Sequence, residues 1–177
     1  MSLFPRLLLL AAVFVSGLAA ESAGGLSWTA PSGWEQQQRP MRAANYVIPA
    51  VEGDSEPGEL AVYYFGPGQG GSVDANINRW LGQFQSAAGQ PLAMSDAERT
   101  NKTVNGVDVT LLDVSGTYLF KPFPMAPQAT PKPGYRMLAA IAEGADAPVF
   151  FKLTAPAKTA AATEVEFHDL IDSLHRQ

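Results

Sequence analysis

The sequence predicts an α+β protein, an antiparallel sheet with helices packed on it. Three observations carry this. Strand-like apolar runs recur along most of the chain, an Asn-Gly pair between two of them signals a hairpin, and only two segments show the helical period.

The first twenty residues stand apart from that pattern. Arg6 precedes the apolar run Leu7 to Val15, and the small-residue segment Ser16-Gly17-Leu18-Ala19-Ala20 follows, which is the layout of a secretory signal peptide over residues 1–20. The run is well short of the roughly 20 residues a bilayer-spanning helix needs, and Glu21 closes it with a charge, so cleavage is expected rather than anchoring. Cleavage before Ala20 and before Glu21 both fit. The chain has no cysteine, which excludes a lipoprotein anchor, disulfides, iron–sulfur ligation and a thiol nucleophile. Roughly 157 of the 177 residues remain after cleavage, enough for one domain that buries a core without crosslinks. The formal charge is −5, and loss of Arg6 with the leader makes it one unit more negative. Such a balance repels phosphate backbones and anionic lipid, so neither nucleic acid nor a membrane surface is an expected partner.

Residues 21–25 read as a short leader to a single domain over 26–177. Leu26 to Thr29 is a brief strand running into the turn Pro31-Ser32-Gly33 between Trp28 and Trp34. Met41 to Ile48 reads as a strand stopped by Pro49, and an acidic loop from Glu52 to Gly58 leads to the strand Glu59 to Phe65. Gly66-Pro67-Gly68-Gln69-Gly70-Gly71 breaks that strand, and Ser72 or Asp74 caps a helix. Its Val73, Ile77, Trp80, Leu81 and Phe84 share one face, and Gly89 and Pro91 end it. Asn105-Gly106 joins Arg99–Val104 to Val107–Val114, whose alternation changes face between Leu111 and Leu112, the mark of a bulge or of a strand covered on both sides; cover on both sides is favoured. The proline-rich stretch 121–134 is expected as a surface loop. Strands over Tyr135–Glu143 and Pro148–Thr154 follow, and a last helix from Lys158 to His175 buries Phe167, Leu170, Ile171 and Leu174.

The opening Trp28…Pro31-Ser32-Gly33-Trp34, the helical Asn76-Ile77-Asn78-Arg79-Trp80, and Phe151-Lys152-Leu153-Thr154-Ala155-Pro156 with the closing Phe167…Leu170…Ser173-Leu174 resemble exported proteins of the Mog1/PsbP-like fold. The resemblance spans nearly the whole chain after the leader. It implies an antiparallel sheet sandwiched between two main helices (α/β/α) and a superfamily that mostly binds proteins or assists assemblies. It implies no shared active site.

The segment Gly66–Gly71 satisfies G-x-G-x-x-G and precedes a helix, but hairpin-like neighbours and the absence of a following lysine favour a flexible turn over a nucleotide loop. His168, Asp172 and His175 fall on one helical arc, yet the two histidines lie about 10 Å apart along the axis, so a solvated face is expected rather than a metal site. Glu52, Asp54, Glu56 and Glu59 read as a solvated acidic turn. No Gly-x-Ser-x-Gly elbow is present, and no catalytic, cofactor-binding or metal residue is assigned. Phe120, Phe123 and Met125, set among prolines that include Pro124-Met125-Ala126-Pro127, form the expected docking place for a protein or envelope component. The leading expectation is a non-enzymatic accessory protein, periplasmic or extracellular. The alternative is a binder of a small molecule or anion, using the Gly66–Ser72 turn or a cleft between sheet and helix; an unrecognised enzyme ranks third.

Overall fold

A computed structural model describes residues 20–123 and 125–177. The signal-peptide reading therefore lies outside the described residues, apart from the backbone of Ala20. Strands β1 (Ala20–Ala23) and β2 (Leu26–Thr29) form a hairpin turned at Gly24 and Gly25, both at positive φ. The expected leader is thus a paired strand.

The main sheet is antiparallel throughout. Its order runs β3 (Glu35–Gln36), β4 (Ala44–Ile48), β5 (Gly58–Tyr63), β10 (Val149–Pro156), β9 (Thr130–Ala142) and β8 (Val107–Phe120). Both β7 (Ala97–Val104) and the two-residue β6 (Phe84–Gln85) pair with β8, at opposite ends of that long strand. Helix α1 (Val73–Leu81) lies on one face, and α2 (Ala157–Ala162) and α3 (Glu164–Asp172) belong to the other. This is the expected α+β sandwich.

Alternation along the strands builds the two cores. Tyr46, Leu60, Val62, Leu138, Phe151 and Leu153 face Phe167, Leu170 and Ile171 of α3, together with Trp28 and Leu26 of β2. Leu112, Val114, Met137, Ile141 and Phe150 face Ile77, Trp80 and Leu81 of α1. The change of face in β8 is therefore a strand covered on both sides, with Val109 in one core and Leu112 in the other. Asn105 and Gly106 both take positive φ, as the type I′ turn requires.

Several boundaries differ from the sequence reading. Met41 takes a φ of 62°, so the strand it was expected to open begins only at Ala44. Ser72 does cap α1, its hydroxyl accepting from the Ala75 amide. That helix stops at Leu81, and Phe84 reaches its core from β6 instead, opposite Tyr118. The chain can cross there because position 116 is glycine: a β-carbon on Gly116 would sit 2.5 Å from the Gln85 carbonyl oxygen. Thr130 to Gly134 belongs to β9 rather than to a loop. Pro131 and Pro133 are tolerated because β10 ends opposite Tyr135, so this end of β9 has a neighbour only in β8.

The terminal helix is two helices meeting at Thr163, and it ends at Asp172. His175 lies in β11 (His175–Arg176), which joins β2 in a small sheet with β1. Trp80 of α1 is buried, whereas Tyr63 at the end of β5 and Tyr64 just after it are half-buried and Phe65 is 46% exposed. Among the described residues no helix is long and apolar enough to cross a membrane.

Candidate functional site

Helix α1 covers only part of its face of the sheet. Its apolar contacts fall on β8, β9 and β10, while the corresponding side chains of β4 and β5 are Asn45, Val47, Glu59, Ala61 and Tyr63. Period-2 alternation puts these on the α1 side, because Ala44, Tyr46, Ile48, Leu60 and Val62 occupy the other core.

A polar network fills the uncovered strip. Arg42 is central: its guanidinium donates to the Asn45 side-chain oxygen, pairs with Glu59 at 2.7 Å, and lies 5.8 Å from the centre of the Tyr63 ring. Next across the sheet, Lys152 stands in register with Ala61 on β5 and Ala139 on β9, small neighbours that leave room for its stem. Its ammonium group donates to Gln83 Oε1 and sits 5.4 Å from the Tyr118 ring centre. No carboxylate among the described residues pairs with it. Burial pushes the Lys152 amine down to about 8; Glu59 opposes this shift, and Arg42 and Arg79 add to it. Burial likewise raises the Tyr118 phenol to about 12. Tyr118 stacks on Tyr135 at 5.9 Å, and the Tyr135 hydroxyl donates to Glu56 at 3.0 Å. Hydrogen bonds from Lys132 and then Tyr135 hold the Glu56 carboxyl below its ordinary value.

At the β3–β4 edge the strip opens into a hollow of about 220 Å³, lined by Gln36, Gln37, Gln38, Arg39 and the stretch Arg42–Asn45. Asn45 is 1% exposed, and its Nδ2 has no hydrogen-bond partner. Arg39 donates to Gln37 Oε1 at 3.0 Å. The strip is rich in donors and charged groups held on paired strands.

The residues singled out in the sequence are dispersed. Gly66, Gly68, Gly70 and Gly71 all take positive φ, and the turn rests on Phe150, whose ring would be 2.9 Å from a β-carbon at Gly70. The preceding strand β5 is antiparallel to both its neighbours, so the segment is not the crossover of a dinucleotide fold. The histidines do not converge. The His175 ring bonds Ser27 Oγ at 2.9 Å and the Ser173 carbonyl at 3.0 Å, while Asp172 pairs with Lys102 at 2.5 Å. The acidic turn is divided among separate partners, Asp54 on Thr159, Glu56 on Lys132 and Tyr135, and Glu59 on Arg42. The connection between β8 and β9 spans 121–129, with Phe123 and Met125 57% and 87% exposed and Ala126 buried. Sequence reasoning missed Arg42, Asn45 and Lys152. The available signal was a lone lysine inside the apolar run Val149-Phe150-Phe151-Lys152-Leu153.

No family model matches the chain, and no curated protein is similar to it. Among solved structures, the solution structure of cyanobacterial PsbP (CyanoP) from Synechocystis sp. PCC 6803 superposes with a TM-score of 0.52 at 14% identity, covering 95% of this chain and 97% of that one. A Pseudomonas aeruginosa protein of unknown function gives a TM-score of 0.47 at 13% identity, covering 90% of this chain and 96% of that one. At such identities the likeness speaks for architecture alone. An all-antiparallel sheet with helices on both faces, matched over nearly the full length of CyanoP, gives this chain the Mog1/PsbP-like fold.

Proposed function

We propose that the chain is a non-enzymatic accessory protein of the cell envelope that binds another protein through the connection between β8 and β9. The observation that carries this reading is the pair Phe123 and Met125, large apolar side chains exposed at the far end of the two longest strands. Exposed apolar groups on a projecting connection gain most by being covered by a partner. Export rests on the leader sequence, and the fold's tendency to assist assemblies agrees with it.

The test is a photo-crosslinking residue at position 125, with position 165 as control, because Val165 is an exposed apolar residue on α3. The expected result is one abundant adduct from position 125, lost in Phe123→Ser. Identical adducts from both positions, or none from 125, would refute docking at this connection.

A second reading, a binder of a small anion, is favoured by one specific observation: Arg39 and Arg42 both line the β3–β4 hollow.

A further inference from the structure

We propose that Lys152 is a nucleophilic amine that takes small aldehydes and ketones as a reversible Schiff base, with the Tyr118 hydroxyl as the proton donor beside it. The inference rests on neither reading above: it needs no docked partner and no anion in the β3–β4 hollow.

Placement sets Lys152 apart from the other lysines. Lys102 and Lys132 pair with Asp172 and Glu56, and Lys121 and Lys158 are exposed. Lys152 is half-buried and has no carboxylate in pairing distance among the described residues. Its ammonium group bonds Gln83 Oε1, a neutral acceptor. An acceptor holds an amine through an N–H and leaves the lone pair of the neutral nitrogen free for an incoming carbon. The charged groups that act on it are Glu59 of β5, Arg42 just before β4 and Arg79 of α1; Glu59 is itself bound to Arg42 at 2.7 Å, and both arginines disfavour the proton. Together with burial they leave an amine that titrates near 8.

Tyr118 supplies the acid this reaction needs. Its ring centre lies 5.4 Å from the Lys152 nitrogen, and its phenol responds to Glu59, Tyr63 and Arg42, so the side chain leans from β8 across the sheet toward β5. Burial raises the phenol to about 12, and no hydrogen bond contributes to that shift, so the hydroxyl is protonated at neutral pH with its proton unclaimed. Asn45 Nδ2 is the one fully buried side-chain nitrogen or oxygen without a partner among the described residues, so the unpartnered Tyr118 hydroxyl reaches solvent. Across the strip, Glu59 and Phe65 are 43% and 46% exposed, which opens the same side to a small molecule.

The chemistry balances without an oxidant or reductant. The amine lone pair attacks the carbonyl carbon and forms a C–N bond, while the π pair moves to oxygen, which takes a proton to give a carbinolamine. The nitrogen then loses a proton, the hydroxyl leaves with a proton from Tyr118 as water, and a C=N bond remains; Tyr118 regains its proton from solvent. At pH 7 about a tenth of an amine titrating near 8 is neutral, against roughly one part in three thousand at 10.5. A less basic nucleophile is intrinsically weaker, which reduces that advantage to about tenfold.

The test is reductive trapping of the protein at pH 7 with glycolaldehyde and sodium cyanoborohydride, read lysine by lysine by mass spectrometry, with Lys121 as the exposed reference. We expect Lys152 to be trapped about tenfold faster than Lys121, and the difference to vanish in urea. Tyr118→Phe keeps the ring and removes the hydroxyl. It should slow trapping at Lys152 several-fold and leave acetylation of Lys152 by acetic anhydride unchanged, because acylation expels no water. Trapping of Lys152 no faster than of Lys121 would overturn the proposal. Fast acetylation without fast trapping would overturn the assignment to carbonyl compounds. An unchanged trapping rate in Tyr118→Phe, or equal slowing of both reactions, would overturn the role given to Tyr118.

Discussion

Replacing Lys152 with methionine should stabilise the protein at neutral pH and change how its stability depends on pH. The native amine titrates near 8 against 10.5 unfolded, because the charged form is held among Ala61, Ala139 and Tyr118 without an acid beside it. At pH 7 the native state keeps that proton at a cost of about 3 kcal/mol relative to the unfolded chain. Methionine fills a similar volume without the charge. It leaves Gln83 Oε1 without its donor, which costs about 1 kcal/mol. The net expectation is a gain of about 2 kcal/mol at pH 7, on the order of magnitude of these terms.

The sign of the pH dependence follows from proton counting. Between pH 8 and 10.5 the unfolded chain holds a proton on Lys152 that the native state has released, so wild-type stability rises with pH across that window. Above about 10 the trend reverses. Burial raises the Tyr46 and Tyr118 phenols to about 12, so there the native state holds the extra protons. Lys152→Met should lack the rise between pH 8 and 10 and keep the fall above it. Urea unfolding at half-unit pH intervals, followed by tryptophan fluorescence, measures both curves. A wild-type curve parallel to that of the variant from pH 7 to 10 would refute the claim that Lys152 is held half-buried as a charge with no carboxylate in pairing distance.

Two further substitutions test the frame that holds the site. Gly116→Ala should cost about 1–3 kcal/mol, because its β-carbon meets the Gln85 carbonyl oxygen at 2.5 Å and forces β6 off β8; urea unfolding would show the loss, and an unchanged midpoint would contradict the crossing. Asp54→Ala should cost about 1–2 kcal/mol, since one Asp54 oxygen accepts from both the Thr159 amide and its hydroxyl at 2.7 Å and ties the acidic turn to α2; faster exchange of the Thr159 amide is the local readout.

The sequence by itself determined the α+β class, the Asn105–Gly106 hairpin, a helix start capped by Ser72 or Asp74 and the apolar faces of α1 and α3, because each is set by residues near one another in the chain. Local periodicity misled where a distant strand competed. Phe84 continues the helical spacing of α1 but pairs with Tyr118, and Leu174 continues that of α3 just before the chain joins β2. Only the tertiary structure decided the candidate site. Asn45 alternates with buried residues and so reads as solvent-facing; it is buried beside Arg42, which donates to its side-chain oxygen and leaves its Nδ2 without a partner. Lys152 reads as one polar residue in an apolar strand. Its environment depends on Ala61, Ala139, Gln83 and Tyr118, which are brought together by four strands and the turn after α1. Burial and counter-charge are properties of neighbours in space, and neighbours distant in sequence leave no periodic trace along the chain.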